Sequence, residues 1–174
     1  MDKEQKNEGK GSGRAYSFKT VYTPIREENS SLLCHLSIIS VGTNTFRHGK
    51  GNNNFVQRGA PLGWTIGSDS REMNLGFDWL YQKKIITNLN IGIRNIGEKN
   101  FINNLYDPYT DYLDEPFPSG DVENIKYISS KVQWWWKPNI AFFSDIQYNT
   151  SDESGSAFRS NFGIDIFYGI NKNL

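Results

Sequence analysis

Between Asp107 and Phe117 the chain sets four carboxylates among aromatic rings: Asp107, Asp111, Asp114 and Glu115 stand beside Tyr109, Tyr112 and Phe117, with Tyr106 just before. Three chemistries could use such a segment. Clustered carboxylates can supply the oxygen ligands of Ca²⁺. Two of them can act as acid and base on a glycosidic bond. Rings together with carboxylates can also hold a sugar, stacking on its face and bonding at its edge. The plain alternative is a loop kept polar by its exposure to water. EF-hand spacing is absent, so neither a metal nor a cofactor is expected. Nucleophilic chemistry has less to work with: His35 and His48 are the only histidines, and no Gly-x-Ser-x-Gly elbow occurs. The sequence is not expected to be an enzyme. Cys34, the single cysteine, is flanked by Leu33 and His35 in a strand-like run and reads as small filler. Lys plus Arg equals Asp plus Glu at 19 each, which gives no electrostatic footprint for nucleic acid.

The elements that must carry these residues are strands. From Arg71 to Gln82, Met73, Leu75, Phe77, Trp79 and Tyr81 fall on one side, while Glu72, Asn74, Gly76, Asp78 and Gln82 fall on the other. Leu80 is the exception. A period of two gives a strand with one apolar and one polar face, and the design recurs at 85–96 and 157–170. About seven strands are expected, at 15–23, 32–43, 71–82, 85–96, 125–136, 139–149 and 157–170. Most reach the roughly 9–11 residues that cross a bilayer at a tilt, against about five or six in soluble strands. No apolar run approaches the roughly 20 residues of a membrane helix. The fold class expected is all-β, an antiparallel transmembrane barrel of the outer-membrane kind, with lipid on one face and water on the other.

The connections alternate in length. Lys83-Lys84 and Lys137-Pro138 are tight turns and 26–31 is short, whereas 44–70, 97–124 and the acidic 150–156 are longer. Short turns on one side and long loops on the other are the periplasmic and external ends of such a barrel. Trp79, Tyr81, Trp134, Trp136 and Tyr168 fall near the short-turn end of outward rows, the depth at which ring-bearing residues meet headgroups. Trp135 points to the lumen. The competing reading of Trp134-Trp135-Trp136 is a packed soluble core. Residues 1–14 are polar and glycine-rich with no apolar stretch, so they read as a leader or loop remnant rather than an export signal. Because single-chain barrels have even strand numbers of at least eight, 15–174 is expected to be the C-terminal portion of a larger barrel.

The stretch Arg58-Gly59-Ala60-Pro61-Leu62-Gly63-Trp64-Thr65-Ile66-Gly67-Ser68-Asp69-Ser70, leading at once into the amphipathic strand, resembles the capsule assembly family typified by the Wzi outer-membrane protein. Thr45-Phe46-Arg47-His48 resembles the same family's step into that loop, and the paired strands ending at Arg94-Asn95-Ile96-Gly97 are similar to its later barrel strands. The resemblance covers about residues 30–174. It implies a non-catalytic, lectin-like role in attaching capsular polysaccharide at the bacterial outer membrane. Gly59, Pro61, Gly63 and Gly67 would then shape an external or lumen-folded loop. Trp64 and the Tyr106–Glu115 rings and acids (Tyr106, Asp107, Tyr109, Asp111, Tyr112, Asp114, Glu115) would meet the sugar. The export signal and N-terminal half of that family are not in this sequence.

Asn161, Gly163, Ile166 and Tyr168 resemble the terminal-strand pattern read by the barrel assembly machinery, although Gly169 to Leu174 extend beyond it. Expected partners are therefore the outer-membrane bilayer, that machinery and capsular polysaccharide. The polar rows carry Glu72, Asp78, Arg94, Lys131, Asp145, Arg159 and Asp165, which either tune solute passage or pair with one another. Two other readings stay open: a generic outer-membrane pore or transporter, and a soluble β-sandwich or lipocalin-like binder.

Overall fold

The computed structural model describes residues 13–47, 56–57, 60–61, 63–103, 105 and 116–167. Its frame is seven long strands: β1 (Ala15–Arg26), β2 (Ser30–Val41), β5 (Ser70–Tyr81), β6 (Ile85–Ile96), β7 (Glu123–Lys137), β8 (Ile140–Ser151) and β9 (Gly155–Ile166). Two short strands, β3 (Val56–Gln57) and β4 (Ala60–Pro61), pair inside the 44–70 segment, where the sequence suggested only loop. Pro61 thus lies in a strand. The long strands match the expected ones to within a few residues, and β6 coincides with its expected bounds. The loop at 150–156 contracts to 152–154, because Thr150 and Ser151 extend β8 while Gly155 and Ser156 begin β9.

All seven join one antiparallel sheet in the order β1-β2-β5-β6-β7-β8-β9. The sheet is open: β1 and β9 are its edges, and the described strands do not close a cylinder by themselves. Every substantial contact between strands is with a sheet neighbour. No second long-stranded sheet therefore covers either face among the described residues, and the facing-sheet core of a β-sandwich is not formed by them.

Register fixes the faces. Ile38, Met73, Ile93 and Lys126 lie level on one side, as do Leu36, Leu75, Ile91, Ile128, Tyr148 and Phe158. This apolar side is open along its whole width: Tyr22, Met73, Ile91, Ile128 and Phe162 are exposed, and Trp134 and Trp136 are 45% and 52% exposed. The tryptophans are accordingly not a packed core. Rings gather at the short-turn rim of this face. Trp79 and Tyr81 stand 5.2 Å apart and Trp134 stacks on Phe142 there, while Tyr16 lies at the other end and Tyr148 and Phe158 stand in the row of Ile91.

The turns explain where strands stop. Lys84 N–H donates to the Tyr81 carbonyl at 3.0 Å, closing a turn in which Gln82 and Lys83 both have positive φ, 50° and 54°. Left-handed backbone at both central positions suits the right-handed strand twist, and Asn-Gly is the pair that adopts it at least cost. Changing Gln82 to Asn and Lys83 to Gly is expected to stabilise the hairpin by about 1 kcal/mol, read as a higher denaturant midpoint at unchanged slope.

At the opposite end, the 152–154 turn is clasped to the start of β7. Asp152 accepts from Asn124 Nδ2 at 2.6 Å and from Asn124 N–H at 2.8 Å. Ser151 Oγ accepts from the amides of Glu153 and Ser154 and donates to Glu123. The Asn124 side chain, and then its amide, hold the Asp152 carboxyl below its ordinary value of 3.8. A lowered folded-state value means the clasp is complete above that ordinary value and is lost as pH falls through the lowered one. Protection of the Asn124 amide against exchange should fall over that acid range, and Asp152→Ala should show the lowered protection at neutral pH already.

Candidate functional site

The polar face is built from alternate residues of the same strands. Its charges pair across neighbouring strands: Arg94 on β6 holds Glu72 on β5 at 2.6 and 2.8 Å, and Lys131 on β7 lies 3.4 Å from Asp145 on β8. Asp78 accepts from Asn88 Nδ2 at 2.5 Å and stands 3.6 Å from His35 Nδ1, too far for a hydrogen bond. Asn74 donates to the Tyr127 hydroxyl at 2.9 Å, and the Arg94 guanidinium lies 5.3 Å from the Tyr127 ring centre. A depression of about 450 Å³ spans four strands on this side, lined by Arg94, Tyr127, Ser129, Lys131, Gln147 and Arg159 among others. In a sheet one layer thick, such a hollow comes from curvature, so the polar face is the concave one.

Toward the short-turn end the concave face changes character. Leu80, the exception to the alternation, stands level with Ile86, and Phe143 follows in the same row, which also holds Ser31 and Gln133. Trp135 stacks on Phe167 with ring centres 5.4 Å apart, above the fully buried Ala141. Trp135 thus takes the inward side expected of it.

The densest packing lies at the long-loop end. Asp69, 0% exposed, accepts from Thr43 Oγ1 at 3.0 Å, Ser119 N–H at 3.0 Å and Ser119 Oγ at 2.5 Å. Its own carbonyl accepts from Gly97 N–H at 2.8 Å. One carboxylate thereby ties together three chain segments: the one that follows β2, the one before β5 that carries Asp69, and the loop after β6. Gly97 has no Cβ to collide with that carboxylate. Nearby, buried Asn100 donates to the carbonyls of Ile66 and Ser68 and accepts from Ile102 N–H. Arg47 donates to the carbonyls of Thr43 and Lys99, and its guanidinium lies 5.2 Å from the ring of the buried Phe101. Phe46, at φ 71°, packs on Phe101 with ring centres 6.1 Å apart. Most of the fully buried side chains sit in this cap rather than beneath the sheet.

Sequence reasoning anticipated part of this. Gly67, at φ +85°, makes the turn expected of it and lies buried against Asn100 and Ile102. Gly63 lies against the Phe46 ring. Trp64 is half-buried with its indole N–H enclosed and unbonded among the described residues. It does not offer that donor at the surface. Gly59, Tyr106, Asp107, Tyr109, Asp111, Tyr112, Asp114, Glu115 and Tyr168 lie outside the described residues. Asn161 and Gly163 occupy the concave side of β9 and Ile166 the apolar side. The hub formed by Asp69, Thr43, Ser119 and Asn100 was not foreseen, although Asp69 sits inside the glycine-rich stretch singled out for its turns.

Comparison with protein-family models, curated proteins and solved structures gives no match.

Proposed function

We propose that this chain forms wall of an outer-membrane β-barrel that assists, without catalysis, in holding surface polysaccharide through its external loops. The observation that carries the barrel reading is the apolar face of the seven-stranded sheet, which no second layer covers among the described residues. A contiguous apolar surface of that width is an association hazard in water. Against hydrocarbon it is the expected lining. Strand length agrees: twelve residues at about 3.3 Å each, tilted by roughly 45°, rise roughly 28 Å, close to the thickness of a bilayer core of about 30 Å. The rim of rings at the short-turn end fits a headgroup level.

The polysaccharide part rests on the resemblance to the capsule assembly family. Its two motif stretches contribute Phe46, Arg47, Gly67 and Asp69 to a single loop cap, which supports a common role for them at the outer surface. A pore is the second reading, favoured by the paired charges along the concave face. The bilayer and the barrel assembly machinery are the partners this implies.

Expression of the full chain with membrane fractionation tests the wall reading: it should copurify with outer membranes and migrate differently in gels before and after heating. Recovery as a water-soluble monomer would overturn it. Deleting 97–122 should then reduce capsule retention. Unchanged retention with altered conductance would move the assignment to the pore.

A further inference from the structure

The two open edges have a direction, and direction constrains what can cover them. β1 runs from the long-loop end to the short-turn end, and because seven antiparallel strands are an odd number, β9 runs the same way. Joining β9 to β1 directly would make a parallel seam. A second copy inserted in the same orientation would present the same pair of edges, and therefore a parallel seam again. Only strands running the other way, in odd number, keep every pair antiparallel.

The charges on the edges carry matching information. On the interior strands, concave-face charges find partners one strand away, as Glu72 with Arg94 and Lys131 with Asp145. On the edges they do not: Lys19 on β1 and Arg159 and Asp165 on β9 have no ion pair or side-chain hydrogen bond among the described residues. The side on which each would find its neighbour is the vacant one.

Resting on the barrel-wall reading, we infer that β9 receives an antiparallel strand with an acidic residue level with Arg159 and a basic residue level with Asp165. The strand alternates polar and apolar residues, running from the short-turn end upward, so the base comes first and the acid six positions later. The β1 edge receives a strand of the same direction with an acid level with Lys19. Backbone pairing supplies the affinity, and the side chains at alternate positions supply the choice of partner.

The test refolds the full chain, carrying Cys34→Ser and Ser160→Cys, into detergent micelles with a twelve-residue strand peptide. The peptide has Lys then Glu on its polar face and one Cys on its apolar face. A second peptide has the two charges exchanged. Disulfide capture at position 160 should favour the first peptide at least tenfold, and Arg159→Glu with Asp165→Lys should invert the preference. Equal capture of both peptides, capture of neither, or disulfide-linked copies of the chain would overturn the inference. Heat-dependent gel migration of the same samples keeps the two readings separate: a micelle-inserted protein that ignores both peptides sinks only the edge assignment, while failure to insert sinks the wall.

Discussion

Arg in place of Ile91 is expected to cost about 2–4 kcal/mol of folding stability in lipid vesicles, the loss seen for a cation at mid-depth on a barrel's lipid face. Ile91 lies at the middle of β6 in the row Leu36, Leu75, Ile91, Ile128, and it is 46% exposed with nothing packed over it. A guanidinium there must be dragged from water into hydrocarbon or reach for the interface. Charge on the concave face should be tolerated. Gln147→Glu, directly opposite Arg159 in register, should change stability by no more than about 0.5 kcal/mol. Urea titrations of both variants in vesicles measure the contrast. Similar small effects at both positions would remove lipid from the apolar side.

The second large effect is expected at Asp69. Asp69→Ala removes an acceptor that satisfies Thr43 Oγ1 and both donors of Ser119. It leaves those donors buried, at about 1–3 kcal/mol for each left unsatisfied. It also places Ala at φ 57°, a left-handed backbone that Asp and Asn tolerate better. A total near 4 kcal/mol is expected, confined to the cap. Amide exchange at Gly97 and Ser119 should rise steeply while the centres of β6 and β7 stay protected. Asp69→Asn keeps one oxygen for Thr43 and the Ser119 amide, and Ser119 Oγ can turn to accept from the new amide. Its cost should be about 1 kcal/mol. An alanine variant with undisturbed loop exchange would show that the hub does not hold the segments together.

The strands were legible because their signal is local. β6 is bounded by Lys83-Lys84 on one side and Gly97 on the other, with alternation from Thr87 to Arg94 between, so its limits could be read from the sequence. Trp135 could be placed inward by parity alone. The cap was not legible, since Asp69 meets Thr43 and Ser119 across 26 and 50 residues of sequence, and no periodicity reports a contact of that kind. The turn between β5 and β6 was read at Lys83-Lys84, one residue late: neither Gln82 nor Lys83 favours positive φ, and hairpin closure imposes it. The ion pairs fell between these cases. Glu72 and Arg94 were assigned to the same polar rows, but only register shows that they face one another.

The floor of the concave face bears on what a watery interior could conduct. At the level of Leu80, Ile86 and Phe143 its lining is mixed, with Arg26, Ser31 and Gln133 in the same row. Beyond it Trp135 and Phe167 lie ring on ring, with Asp165 in the row of Trp135 and Ala141. Where such strands surround a narrow lumen, that last storey is bulky rather than dry. It would limit passage by size, while the charges beside the rings keep water there.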